Sequence, residues 1–189
     1  MCRPNVDLTS MLTPELTAAA VEVARLLADQ RLKLVLAESC TAGLAAAALG
    51  GIPGISNWFC GSAVVYRTET KVAWLGVDPR GFLAPEPDSV GSRTSNKLVE
   101  ALLANTPEAD IAAAITGHLG PNAPSELDGR CFGFIQSTHP FAYRPLQRDW
   151  KLPATSEDPL EMRRHRQQEA ATHFLRLIAE FLGDSRSES

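Results

Sequence analysis

Paired cysteines, an excess of charge of one sign and long apolar runs are all missing from this chain, and each absence removes a class of function. Its four cysteines, Cys2, Cys40, Cys60 and Cys131, form no C-x-x-C pair and stand at no spacing from histidine that suits zinc. They read as reduced thiols, and no metal site is expected. No segment approaches the ~20 apolar residues needed to cross a bilayer, and Met1 to Glu15 carry no apolar core of signal-peptide length. A cytoplasmic protein without membrane association is the expectation. A formal charge of -4 and a pI near 5.6 give no long-range pull toward nucleic acid or anionic lipid, with Arg163, Arg164 and Arg166 only a local basic cluster. There is no internal repeat and no low-complexity stretch beyond one alanine-rich segment.

What is present is a chain of 189 residues, 44% hydrophobic. A chain of that size buries roughly two-thirds of its extended surface as one compact domain. The expected organisation is a flexible polar leader over 1–12, a single domain over 13–183 and a disordered tail over 184–189. Thr13-Pro14-Glu15 has the form of a helix start, and Leu16, Ala20, Val23 and Leu27 follow at helical spacing. Lys33 to Ala37 is an apolar run of strand length, leading into a helix from Thr41 to Leu49 that Gly50-Gly51 ends. Cys60 to Tyr66 reads as a second buried strand and Thr68 to Leu75 as a short helix, followed by a Pro/Gly-rich connection from Asp78 to Asp88. A helix over Ser92–Ala104 and strands over Asp110–Thr116, Arg130–Ser137 and Gln147–Leu152 come next. The last helix begins at Ser156 and ends at Gly183. Helices alternating with strands predict a three-layer α/β/α sandwich, and strands joined without a helix make its sheet mixed, though mostly parallel.

In open α/β sheets ligands collect at the carboxyl ends of the strands, where Ser39, Tyr66 and Thr116 all fall. Ser39 also precedes a helix, whose unsatisfied N–H groups can hold a phosphate or a developing oxyanion. A serine hydroxyl needs a base to become a nucleophile, and a lysine or a phenolate supplies one if neighbours shift its pKa. An ammonium beside a phenol favours the phenolate, and burial favours the neutral amine, so Tyr66 and Lys71 are both candidates for the general base. Bland readings stand beside these: Ser39 as a helix cap, Tyr66 as a strand-end aromatic, Lys71 as a solvated helix residue. Cys40, a thiol at a helix N-terminus, is the rival nucleophile, with His118 as its base.

The stretch Leu36 to Gly43, LAESCTAG, resembles the AESCTGG segment of the CinA C-terminal domain, the nicotinamide-nucleotide amidase (PncC-type) family. Ile52-Pro53-Gly54 with Ser56 resembles its vPGsS, and Val64 to Val77, with Tyr66, Lys71, Leu75 and Gly76, its VaYsneaKvrlLGV. Ala113 to Pro121, AAITGHLGP, resembles aVTGiaGP, and Asp128 to Ile135 the strand that follows. Several ordered motifs at matching separations over residues 13 to 183 are far more specific than any one alone. The resemblance implies a three-layer α/β/α domain that hydrolyses the carboxamide of nicotinamide mononucleotide to nicotinic acid mononucleotide and ammonia, with neither metal nor cofactor. It assigns catalysis to Ser39, Tyr66 and Lys71, and substrate binding to Cys40, Thr41, Gly43, Thr116, Gly117 and an arginine, for which Arg163 is the best match and Arg164 and Arg166 are alternatives.

Two departures from the family pattern bear on function. Ala42 replaces the first glycine of the GG pair, and GHLGPNAPS replaces the glycine-rich GiaGPgGGt loop, with His118 in place of a small apolar residue. Asn122, Ala123 and Pro124 lack glycine's access to positive backbone angles. Three functions follow: an amidase acting on nicotinamide mononucleotide, the same triad acting on another small amide, and a non-catalytic ligand-binding protein. The expected partner is a small pyridine mononucleotide and not nucleic acid or membrane. Trp58, Phe59 and Trp74 are candidates for the interface of a homo-oligomer.

Overall fold

The computed structural model describes residues 12–78, 80, 90–121, 123–139 and 143–184. The leader before Leu12, most of the Asp78 to Asp88 connection and the tail after Asp184 lie outside the described residues. The elements in chain order are α1 (Pro14–Gln30), β1 (Leu34–Glu38), α2 (Leu44–Gly50), β2 (Phe59–Val64), α3 (Thr68–Leu75), α4 (Ser92–Asn105), β3 (Ile111–Gly117), β4 (Arg130–Ser137), β5 (Leu146–Lys151) and α5 (Pro159–Asp184).

The five strands form one sheet in the order β2-β1-β3-β4-β5. β1 is parallel to both β2 and β3, while β4 is antiparallel to β3 and β5, so four strands run one way and β4 the other. The sheet is mixed and mostly parallel, as the alternation of elements predicts. Period-two alternation along the central strands sends side chains to two separate cores. Leu34 and Leu36 of β1 and Ile111, Ala113 and Ile115 of β3 pack with α1, α2 and α5. Val35 and Ala37, with Ala112 and Ala114, pack with α3 and α4. Helices on both faces of one sheet make the three-layer α/β/α sandwich.

The helix ends follow local chemistry. Thr13 Oγ1 accepts the Leu16 N–H at 3.2 Å, with Pro14 just inside α1. The Asp158 carboxylate accepts the N–H groups of Leu160 and Glu161 at 2.7 and 3.0 Å. α5 therefore begins at Pro159 instead of Ser156, and it runs through Gly183 to Asp184 instead of stopping there.

Two further expectations are corrected. The helix expected from Thr41 starts only at Leu44, because Ala42 and Gly43 take left-handed backbone angles (φ 54 and 93) that no α-helix contains. The strand expected over Cys60 to Tyr66 ends at Val64 and is half-buried: among the described residues β2 is an edge strand with β1 as its single neighbour.

Candidate active site

Parallel register brings three strand ends together. Glu38, the last residue of β1, pairs with Val64 of β2 and Ile115 of β3. Beyond it the Ser39 N–H donates to the Ile115 carbonyl at 3.1 Å, and the Val65 N–H donates to the Glu38 carbonyl at 2.8 Å. Ser39 thus lies between Tyr66 on one side and the end of β3 on the other. They open onto a cleft of about 210 Å³, lined by Ser39, Tyr66, Lys71, Gly117, His118 and Arg163 together with Cys40, Val90, Leu119, Gly120, Pro121 and Ala123.

Lys71, in the first turn of α3, is only 1% exposed. Its Nζ lies 3.5 Å from Ser39 Oγ and donates to the Tyr66 carbonyl at 3.3 Å. Burial pulls its pKa below the usual 10.5, since a desolvated ammonium is the costlier form. A lysine within reach of a serine hydroxyl and biased toward its neutral form is equipped to take that proton.

Tyr66 meets Lys71 through its backbone and Arg163 through its phenol. Lys71 meets its backbone carbonyl, and the phenol oxygen, on a side chain 52% exposed, instead accepts a hydrogen bond from Arg163 Nη2. Arg163 Nη1 donates to the Gly120 carbonyl, so one guanidinium ties the tyrosine to the loop after β3. Of the three candidate arginines, Arg163 is the one that lines the cleft. Arg164 is exposed on α5, and Arg166 is buried elsewhere.

The substrate-binding residues that the resemblance assigns divide in two. Cys40, Gly117 and Arg163 line the cleft; Thr41, Gly43 and Thr116 do not. Thr116 shares the sheet face of Ala112 and Ala114, so its hydroxyl meets Ser95 Oγ at 3.0 Å and accepts the Gly91 N–H at 3.1 Å. Thr41 is fully buried, its hydroxyl has no hydrogen-bond partner among the described residues, and its carbonyl accepts Gln167 Nε2 at 3.0 Å. Gly43 turns its N–H to Glu38. The rival nucleophile is also corrected. The Cys40 thiol is buried against Cys131, and that hydrogen bond together with burial raises its pKa well above the usual 9.0, away from the reactive thiolate.

Two side chains organise the site in roles that sequence reasoning did not give them: Glu38, which it assigned none, and Arg166, which it held as an alternative to Arg163. Glu38, wholly buried, accepts the N–H groups of Gly43, Ala45 and Ala46 at 3.1, 3.2 and 2.8 Å. The start of α2, expected to hold a phosphate or an oxyanion, is already occupied by this carboxylate. Arg166, 1% exposed, pairs with both oxygens of Asp128 at 2.8 and 2.9 Å and donates to the carbonyls of Leu119 and Pro153 at 3.3 and 3.0 Å. It clamps the loop from Gly117 to Gly129 behind the cleft. The glutamate of the motif Ala37-Glu38-Ser39 and the helical spacing of Arg163 and Arg166 were the available signals. Among the described residues no group of three or more His, Cys, Asp or Glu is placed to hold a metal ion, and none of their helices is long and apolar enough to cross a membrane.

Fold and site together define a three-layer α/β domain whose strand-end cleft holds a serine, a buried lysine and an arginine-bound tyrosine. The chain belongs to the CinA C-terminal domain family, whose model matches residues 16–143. It is 36% identical over 162 residues to a CinA-like protein of Mycolicibacterium paratuberculosis, covering 82% of this chain and 35% of that protein. A CinA-like protein of Mycobacterium marinum is 36% identical over 160 residues, covering 82% and 34%. The chain thus spans about a third of the length of these curated relatives. Among solved structures, a competence damage-inducible protein A of Klebsiella pneumoniae superposes with a TM-score of 0.76 at 23% identity, covering 89% of this chain and 97% of that one. A competence/damage inducible protein of Agrobacterium tumefaciens gives 0.72 at 23% identity, covering 88% and 97%. At that identity the likeness is one of fold.

Proposed function

We propose that this protein is a serine amidohydrolase that converts nicotinamide mononucleotide to nicotinic acid mononucleotide and ammonia. The observation that carries the reading is the 3.5 Å approach of the buried Lys71 amine to the Ser39 hydroxyl inside a cleft. The motif resemblance described above supplies the substrate. In this reading neutral Lys71 takes the Ser39 proton as Oγ bonds to the carboxamide carbon, and the carbonyl oxygen becomes an oxyanion. The N–H groups of Ser39, Ala42 and Gly43 are not its donors, because they go to Ile115, Ser39 and Glu38. Collapse breaks the C–N bond, and the nitrogen leaves as ammonia with a proton from the Lys71 ammonium, directly or through the Tyr66 hydroxyl. Water then attacks the acyl ester, giving up a proton to Lys71, and Ser39 is released with its proton restored.

A second reading keeps this chemistry and changes the amide. It is favoured by the cleft wall, where His118, Pro121 and Ala123 stand in the segment that departs from the family's glycine-rich loop.

The test is ammonia and nicotinic acid mononucleotide release from nicotinamide mononucleotide by wild type beside Ser39→Ala. The expected result is turnover by wild type that falls at least ~1,000-fold in the variant. Full turnover in Ser39→Ala would overturn the nucleophile. A folded wild type that turns over other small amides and not this one would favour the second reading.

A further inference from the structure

We propose that Glu38 is a positioning residue for the nucleophile: its buried carboxylate braces a strained turn in the shape that keeps the Ser39 hydroxyl against Lys71. The proposal rests on the serine amidase reading above and adds to it a residue that never touches substrate.

The chain reverses immediately after β1. Ala42 donates its N–H to the Ser39 carbonyl at 3.1 Å and Leu44 donates to Thr41 at 3.1 Å, closing two successive turns around the serine. Two consecutive residues, Ala42 at φ 54 and Gly43 at φ 93, are left-handed. Glycine adopts that region freely, but the Cβ of an alanine crowds the following carbonyl there, so the turn is strained at Ala42. α2 has seven residues, too short a helix to hold its own first turn firmly.

The brace spans the turn from its first residue to its far side. Glu38 Oε2 accepts from Gly43 and Ala45, and Oε1 accepts from Ala46 at 2.8 Å and from the Ser62 hydroxyl at 3.3 Å. Every one of these is a charge-assisted bond to a group that would otherwise be an open donor, and Ser62 fixes the carboxylate to β2 as well. Glu38 also belongs to β1, so the geometry of the turn is referred directly to the sheet that positions Tyr66 and Gly117. The carboxylate also takes the donors at the start of α2, so these are not open to the reacting carbonyl. The brace thereby sets where the nucleophile points.

A plain helix cap and a positioning residue make different predictions for Glu38→Gln. The amide keeps size and one acceptor but turns an NH2 toward backbone donors. A cap would cost stability and leave the rate per folded molecule unchanged. Positioning predicts a kcat for nicotinamide mononucleotide lowered roughly 10- to 100-fold, with KM within about threefold, because small misplacements of reacting groups cost rates of that order. It also predicts a parallel fall in the rate at which a fluorophosphonate labels Ser39, a readout independent of amide turnover. Adding Ala42→Gly to Glu38→Gln, which removes the strain that drives the turn open, is expected to recover part of both rates. Should Glu38→Gln fail to fold, Ser62→Ala is expected to lower the labelling rate about two- to fivefold, as loss of one supporting bond.

Unchanged labelling in a folded Glu38→Gln, or an effect confined to KM, overturns the proposal. In the fallback variant, unchanged labelling of Ser62→Ala does the same. A wild type that releases no ammonia but whose Ser39 labelling falls in Glu38→Gln overturns the substrate reading and supports the brace.

Discussion

The ends of β1 and β3 lie side by side at the cleft, yet they are built in opposite ways. After β1 the turn from Glu38 to Gly43 keeps the family's residues at every position but Ala42, and it is held by backbone N–H groups gathered on one carboxylate. After β3 the segment from Gly117 to Gly129 departs from the family pattern, and it is held by side chains reaching in from α5: Arg163 on the Gly120 carbonyl, Arg166 on Leu119 and Asp128. Backbone donors are present whatever the side chains, so a turn built on them tolerates little change in its one acceptor. A loop tied by long side chains from a neighbouring helix can be rewritten while its anchors stay. Under the proposed function, the contrast divides chemistry on the β1 side from recognition on the β3 side.

The sharpest way to break that division is at Lys71, on the chemical side. Lys71→Met keeps an apolar stem and removes the amine, and kcat is expected to fall about 1,000-fold with little change in KM, the range general base catalysis supplies. In the wild type, kcat/KM should rise with pH as Lys71 loses its proton and level off below the usual lysine value of 10.5, because burial lowers its pKa. The limb should vanish in the variant. The stability sign is the same: between the lowered folded value and 10.5 the unfolded chain binds more protons, so wild-type stability rises with pH across that window, and Lys71→Met should lose the slope. A variant that kept its kcat would move the base to Tyr66.

Arg166→Ala tests the recognition side through the fold. The guanidinium is buried and the Asp128 side chain is about a third exposed, so the variant should lose about 3 kcal/mol, the lower end for breaking a buried pair, read from the denaturant midpoint. KM should rise more than kcat falls, since the loop moves while the Ser39 turn does not. Asp128 titrates below its ordinary 3.8 chiefly through its hydrogen bonds to Arg166. The pair's contribution is therefore complete above pH ~4 and lost as pH falls below it, a loss the variant should not show. Equal falls in kcat on both sides of the cleft would dissolve the contrast.

How far these two sides were legible in the sequence follows from what holds them. Elements announced by local chemistry were readable: Thr13-Pro14 at α1, Thr68 to Leu75 as α3, and the alternating Arg130 to Ser137 strand all stand where the residues put them. So was the position of Ser39, Tyr66 and Thr116 at or just past strand ends, which needs only the order of the elements. Glu38 was hidden because its acceptor role depends on a backbone turn at Ala42 and Gly43 that helix propensity in an alanine-rich run argues against. The pairing of Arg166 was hidden because Asp128 lies 38 residues away, a distance no local pattern bridges. Thr116 was misread for want of counting by twos: it falls on the face of Ala112 and Ala114, toward α4.

Smaller changes sharpen the contrast. Arg163→Lys leaves a charge in the cleft but cannot bond Tyr66 and Gly120 at once, since an ammonium lacks the planar fork. KM is expected to rise roughly 10-fold with kcat falling less, about 1.4 kcal/mol of binding. A loss confined to kcat would instead place Arg163 with the chemistry, through its hold on the phenol.

The smallest expected effect lies at Ala42, the departure from the family motif on the β1 side. Its left-handed angle costs an alanine about 1 kcal/mol, while glycine would add freedom to the unfolded chain, so Ala42→Gly should stabilise the fold by about 0.5 kcal/mol. Differential unfolding of the two proteins reads this directly. Because Glu38 already holds the turn, the same variant should leave kcat of the otherwise wild-type protein within about twofold. A larger rate change without a stability gain would mean that the alanine methyl meets the substrate itself, and the β1 side would then share in recognition.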